Sequence, residues 1–358
     1  MRCSPSYVNS LEISRVTTIV CVGHSSLDRV FTIDAVVAPP AKLRASSFTE
    51  SGGGMAANAA VAIAHLGGTA CFWGPCGGDD IAGRMQADFV RHRVDATHMH
   101  RIAGSTSSHS VILVDAKGER LIVNARGTAL ECDAGWLPLD ALNCAAAAAR
   151  PDADHAAIRS KTAPACDALL ADVRWPIGSR VALGAARREG IPTILDGDTA
   201  ERAVLRDLAG LADYCVFSEP GFRSFCSAAE ADAAAHTSAQ ATFDESDMAL
   251  GLGAAIALGA RVAAVTLGER GCAWLTADQP GHLHFTPAYA TTAVDTTGAG
   301  DVFHGAIALL AGEYANARRV PLEAMFRFAS AAAAIKVTRA GARSMPSRGE
   351  VEAFLSQH

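Results

Sequence analysis

Residues 294–306 read Val294-Asp295-Thr296-Thr297-Gly298-Ala299-Gly300-Asp301-Val302-Phe303-His304-Gly305-Ala306, and this stretch decides the fold. Gly298, Ala299 and Gly300 stand directly before an apolar run reaching about residue 313, the pattern of a tight turn opening a helix. The first N–H groups of a helix have no partner inside it, and the helix dipole places partial positive charge there. Small residues let a ligand approach that backbone, so the turn is a candidate anion site. Asp301 falls in the first helical turn beside it. A carboxylate so placed can take a proton from a substrate hydroxyl while the amides hold developing negative charge. It can equally be a capping carboxylate beside a plain turn, and the residues alone leave both readings open.

Working outward, apolar strand-like segments alternate with helical ones. Val16–Val22, Ala70–Trp73, Ala168–Asp172, Thr193–Asp196, Tyr214–Phe217 and Val262–Thr266 read as buried strands. Helices are predicted over Ala56–Leu66, from Asp80 to about His92, and over 177–189, 246–259, 300–313 and 322–337. Gly67-Gly68 supplies a stop signal for the first of them. Such alternation predicts an α/β fold, a doubly wound, mainly parallel sheet with helices on both faces. Ser110–Asp115 and Arg120–Asn124, joined through Lys117-Gly118, read instead as a β-hairpin. Residues 28–50 are less regular and carry Pro39 and Pro40, while 141–165 and 228–245 read as surface excursions. The chain is therefore expected to form one domain over 1–358, with a small β-sheet built from about 24–50 and 104–126.

The chain has 358 residues, half of them apolar and 19% charged, with 31 Lys and Arg against 37 Asp and Glu. A net charge of −6 argues against a nucleic-acid or polybasic membrane surface. No apolar stretch is long enough to span a membrane, and no signal-peptide pattern opens the chain, so the expected location is the cytoplasm. Ten cysteines are scattered without a C-x-x-C pair, which removes zinc-ribbon and thioredoxin readings and fits buried thiols in a reducing compartment. Of the twelve histidines, His92, His98, His100 and His109 have no ligand-like partners at helical spacing, and most are expected at the surface or in polar loops.

Several stretches together resemble the ribokinase (PfkB) family of carbohydrate and nucleoside kinases. Asp295-Thr296-Thr297-Gly298-Ala299-Gly300-Asp301 is similar to its C-terminal signature, and Gly52-Gly53-Gly54-Met55-Ala56-Ala57-Asn58, closing at Leu66-Gly67-Gly68, to its N-terminal glycine motif. Gly78-Asp79-Asp80 with Gly83, Thr266-Leu267-Gly268-Glu269-Arg270-Gly271 and Arg339-Ala340-Gly341-Ala342 with Pro346 resemble further family segments in the family's order. The likeness covers roughly residues 16 to 356.

The resemblance implies a ribokinase-like fold with a small β-sheet lid and an ATP-dependent phosphotransferase that phosphorylates a hydroxyl of a small sugar. It implies Asp301 as catalytic base, with the amides of Gly298, Ala299 and Gly300 holding the transferring γ-phosphoryl group. Asp28, Gly53, Gly54 and Asn58 match sugar-binding positions, Gly52 and Gly53 forming a hinge. Ser218, Glu219, Thr266, Gly268 and Gly271 match the nucleotide side. Mg²⁺ is expected to ride on ATP. The family's Asn-x-x-Glu segment is altered here to Ser218-Glu219-Pro220-Gly221. Asp295, Thr297 and carbonyls near Ala340 match a site for a K⁺-type ion, and a homodimer through the lid is expected. Arg126, after the second hairpin strand, is placed to clamp an anionic sugar substituent or to stand solvated at a hairpin end. The segment Leu-Leu-Ala-Asp-Val-Arg-Trp-Pro at 169–176 resembles fructose-type and sulfofructose-type kinases. Alternatives are a nucleoside kinase, which would need an aromatic clamp for the base, and a non-catalytic sugar-binding protein. A dinucleotide-dependent oxidoreductase is disfavoured, because Gly23-His24-Ser25-Ser26-Leu27-Asp28 stands where a G-x-G-x-x-G would follow the first strand.

Overall fold

The structure, a computed structural model, describes residues 16–35, 42–115, 120–142, 166–227, 243–315 and 321–358. The Lys117-Gly118 turn, Pro39 and Pro40, Cys3, Cys144 and most of the two surface excursions lie outside the described residues. In chain order the strands are β1 (Thr18–Val22), β2 (Ser26–Thr32), β3 (Ser47–Gly53), β4 (Thr69–Gly77), β5 (Met99–Ile102), β6 (Ser108–Val114), β7 (Arg120–Ala125), β8 (Ala168–Asp172), β9 (Thr193–Gly197), β10 (Tyr214–Ser218), β11 (Val262–Thr266), β12 (Cys272–Thr276) and β13 (Gln279–Thr286). The helices are α1 (Met55–His65), α2 (Asp80–Arg91), α3 (Pro176–Arg188), α4 (Arg202–Ala209), α5 (Glu219–Cys226), α6 (Glu245–Ala257), α7 (Ala299–Glu313), α8 (Leu322–Val337) and α9 (Arg348–Leu355).

The large sheet runs β13-β12-β11-β10-β9-β8-β1-β4-β5. It is parallel from β11 to β5, and the β12–β13 hairpin adds an antiparallel edge. Alternation along β1 shows how its two faces are filled. Ile19 and Cys21 pack with α1, α7 and α8, whereas Val20 and Val22 pack with α3–α6. A strand buried on both faces carries no polar alternation, which is why its sequence reads as a continuous apolar run. Eight described cysteines are free thiols, six of them buried in this core.

The second sheet has the order β3-β2-β6-β7, with β2 and β6 parallel and the outer pairs antiparallel. Its strands are half-exposed, and Phe48, Leu121, Ile122 and Val123 stand between 45 and 59% exposed. The chain leaves the large sheet after β1, builds β2 and β3, and returns straight into α1 through Gly54. The large sheet's order reverses beside β1, since β4 lies on one side of it and β8 on the other. In open α/β sheets a crevice forms at the carboxyl ends of the strands at such a switch. The ends of β1, β8, β9, β10 and β11 and the start of α7 all meet there.

Candidate active site

Gly298 caps α7 with φ +81°, and a Cβ there would sit 2.6 Å from the Ala342 carbonyl oxygen, so only glycine makes this turn. Asp301 follows in the first turn, half-buried at the floor of the crevice. Its Oδ2 accepts a hydrogen bond of 2.7 Å from Asn58 Nδ2 on α1. Burial first, and the Asp196 carboxyl second, push the Asp301 carboxyl up to about 7, against the Asn58 bond, which lowers it. That value suits a proton acceptor working near neutrality. The amide of Ala299 is engaged with Thr296 O at 3.2 Å, so of the three expected anion-holding amides this one is committed to the turn.

Below Asp301, on the next turn of α7, His304 is buried. Its Nδ1 lies 2.6 Å from Gly300 O, and its Nε2 lies 3.1 Å from Val216 O and 3.4 Å from Asp196 Oδ1. Burial lowers the His304 pKa, while the two backbone carbonyls raise it. Asp196, at the end of β9, is pushed well above the usual carboxylate range by burial and by Asp198. Its Oδ2 has no hydrogen-bond partner.

Asp28 lies within strand β2 rather than in a loop, and Ser26 Oγ donates to its Oδ1 at 3.1 Å. A Cβ on Gly53 would fall 2.1 Å from Asp28 Oδ2, and Gly54 has φ +95°. The glycines therefore let the β3–α1 junction pass against Asp28 and turn into α1. Asp172 holds this entrance together: its carboxylate accepts from the amides of His24 (2.8 Å), Ala56 (3.1 Å) and Arg174 (2.8 Å). Arg126 is exposed just beyond β7. Both it and Arg174 bear electrostatically on the half-buried His24 imidazole, whose pKa falls chiefly through desolvation.

On the other side of Asp301 a cavity of about 1040 Å³ is lined by Thr266, Gly268 and Gly271 from the β11–β12 connection, Ala299, Gly300 and Phe303 from α7, and residues of α8. Ser218 and Glu219 are not among its lining residues. Ser218 Oγ donates to Asp198 Oδ1 at 2.7 Å and accepts from Gly221 N, capping α5. Glu219 pairs with Arg270 at 2.7 Å. Both residues thus sit behind the cavity wall, Glu219 through Arg270. Among the described residues no group of three or more His, Cys, Asp or Glu is arranged to hold a metal ion.

At the expected monovalent-cation position the Asp295 carboxylate and two backbone carbonyls already meet donors. Asp295 accepts from the amides of Thr297 and Gly341, each at 2.8 Å. Lys336, fully buried, directs its Nζ at the carbonyls of Asp295 (3.2 Å) and Arg339 (3.3 Å). A side-chain ammonium stands among those carbonyls, so these residues do not fit a further monovalent cation.

Sequence reasoning missed Asp88, Asp172, Asp196, His304, Lys336 and Arg343. Arg343 connects several of the parts: its Nε donates to Asn58 Oδ1 at 3.0 Å, on the side of the amide opposite Asp301.

The pattern of the pfkB family carbohydrate kinases matches residues 16–348. The chain belongs to that family. It is accordingly a phosphotransferase with an alcohol group as acceptor. Ribokinase of Haemophilus influenzae is 26% identical over 343 residues, covering 94% of this chain and 98% of the relative. Fructokinase-1 of rice, Oryza sativa, is 28% identical, covering 94% and 97%. Among solved structures, an Agrobacterium tumefaciens protein provisionally assigned as a ribokinase is 32% identical with a TM-score of 0.78, covering 96% of this chain and 98% of that one. Among the described residues no helix of this family member is long and apolar enough to cross a membrane.

Proposed function

We propose that this carbohydrate kinase transfers the γ-phosphoryl group of ATP to a hydroxyl of a small sugar, with Asp301 as the base. The observation carrying the reading is the Asp301 carboxyl itself, set beside the N-terminus of α7 and aimed by Asn58 at 2.7 Å. The sugar lies over Asp28, Gly53, Gly54 and Asn58, under the small sheet acting as a lid. ATP occupies the cavity beside α7, with Thr266, Gly268 and Gly271 in its wall. The sugar hydroxyl gives its proton to Asp301 as its oxygen bonds to the γ-phosphorus. The bond from that phosphorus to the bridging oxygen breaks, and ADP leaves with the electron pair. The amides of Gly298 and Gly300 and the dipole of α7 hold the charge on the transferring group. Mg²⁺ neutralises phosphate charge when it arrives with ATP. The Glu219 carboxylate is engaged with Arg270 at 2.7 Å, so any part it took toward that metal would have to be played from within this ion pair.

Ribokinase and fructokinase relatives support a ribose- or ketose-like acceptor. Arg126 at the open edge gives the pocket a place for an anionic substituent such as a phosphate, sulfonate or carboxylate. The lid's exposed apolar residues Phe48, Leu121, Ile122 and Val123 support pairing with a second copy of the chain. The test is an ATP-consumption screen over ribose, fructose, fructose phosphates, sulfofructose, 2-keto-3-deoxygluconate and nucleosides. Turnover with a sugar and none with nucleosides is expected. Turnover with nucleosides alone, or ATP consumption that no sugar stimulates, would contradict the reading.

A further inference from the structure

The closing segment after α8 inserts one charged side chain into the molecule. Arg343 is 6% exposed, and its partner Asp88 on α2 is 4% exposed. Taking both charges out of water costs several kcal/mol, recovered only when their donors and acceptors are matched. Here each of the three guanidinium nitrogens has a partner. Nε donates to Asn58 Oδ1 at 3.0 Å, Nη1 pairs with Asp88 Oδ2, and Nη2 donates to Gly53 O at 3.3 Å. Its Cζ lies over the Phe89 ring, 5.0 Å from the ring centroid. Asp88 Oδ2 also accepts from Gly52 N at 3.3 Å, and its Oδ1 pairs with Arg91, with His92 Nε2 at 4.0 Å.

An apolar pair of similar volume would pack α2 against the closing segment without this desolvation cost. What the ion pair supplies instead is geometry at three points. It holds the Gly52 amide, the Gly53 carbonyl and the back of the Asn58 amide at once. An amide whose oxygen already accepts from Arg343 presents its NH₂ to Asp301, so the flip of Asn58 is fixed. Asp301 Oδ2 is then met by the amide's donor end and not by its oxygen. The glycines fit the same arrangement: a Cβ on Gly52 would lie 2.1 Å from Arg343 Nη1, and one on Gly53 would meet Asp28 Oδ2 at the same distance. Successive residues of β3 thus carry Arg343 on one face and the sugar-side carboxylate on the other.

We propose that Arg343, braced by Asp88, is the positioning residue that registers the Gly52–Gly53 junction and the Asn58 amide against the base Asp301. The proposal rests on the assignment of Asp301 given under Proposed function. Lysine at 343 keeps a cation for Asp88 but lacks the planar fork that reaches Asn58 and Gly53 together.

The test is a double-mutant cycle of Arg343→Lys and Asn58→Ala, assayed with ATP and the best sugar of the screen, with melting curves alongside. Arg343→Lys should melt near the wild type, keep its KM for ATP and lose about 10- to 100-fold in kcat/KM for the sugar, the size of a charge-assisted contact. In the Asn58→Ala background the same change should cost several-fold less than in the wild type, because the amide is gone and only the Gly52–Gly53 junction is left for Arg343 to register. Additive losses, or an Arg343→Lys enzyme with wild-type kcat/KM, would overturn the proposal. Should Arg343→Lys not fold, the neutral pair Asp88→Asn with Arg343→Gln carries the same cycle. Asp301→Asn measured in parallel separates the two claims. Full turnover there removes the base, whereas lost turnover with additive Arg343 and Asn58 effects removes only the clamp.

Discussion

The raised pKa of Asp301 makes the kinase's acid limb predictable. A general base works only when ionised, and burial together with the neighbouring Asp196 carboxyl pushes Asp301, the base we propose, up to about 7. His304, Asp196, Asp198, the Asn58 amide and the Arg343 guanidinium bear on it. With that value about a tenth of the free enzyme is competent at pH 6 and about nine-tenths at pH 8. Sugar kcat/KM should therefore rise about tenfold between those pH values and level off above. Initial rates at subsaturating sugar and saturating ATP, in buffers of constant ionic strength, measure it. The stability counterpart has a definite sign. The unfolded carboxyl releases its proton near pH 4, while the folded one keeps it to about 7, so stability falls as pH rises through that window. Asp301→Asn removes this loss and should melt higher than the wild type at pH 8 but not at pH 4. A kcat/KM profile that is flat from pH 5.5 to 8 would refute the reasoning, because it would place the base in the ordinary carboxylate range.

Replacing K⁺ by choline in the assay should change the rate less than twofold, since the Lys336 ammonium already meets the Asp295 and Arg339 carbonyls; strong K⁺ activation would contradict that arrangement. Arg126→Ala should raise KM for an anionic sugar about ten- to a hundredfold while leaving ATP unaffected. Equal losses on fructose and on an anionic analogue would make Arg126 a support of the lid alone. Phe48→Glu with Ile122→Glu should convert a lid-paired dimer to monomer in sedimentation velocity, and a wild type that sediments as a monomer at all concentrations removes the dimer.

The parts legible in the sequence were those governed by local pattern. Ala168–Asp172, Val262–Thr266 and the helix over 322–337 have the bounds their apolar runs predict, because strands and helices buried on most sides must be apolar throughout. β2 and β3 were not legible. Ser26–Thr32 and Ser47–Gly53 are half-exposed strands carrying Asp, Arg, Glu and glycine, so neither periodicity nor propensity marks them. The same limit hid part of the site. Asp301, Asn58 and the glycines lie in dense motifs, but Arg343 meets Asn58 across 285 residues and Asp88 across 255. An isolated Arg in a loop and an isolated Asp on an amphipathic helix each read as solvated until the fold brings them together. Lys336 was hidden differently, since one lysine ending an alanine-rich helix reads as a favourable C-terminal charge.

The most direct test of the central claim is single-site replacement of the base. Asp301→Asn keeps the size and polarity of the side chain but cannot take the hydroxyl proton. With the sugar that the wild type phosphorylates best, the variant should bind ATP with unchanged affinity and lose about 10²–10⁴ in kcat, the usual share of proton transfer. Turnover within a few-fold of the wild type would contradict the assignment of Asp301 and, with it, the mechanism built on this site.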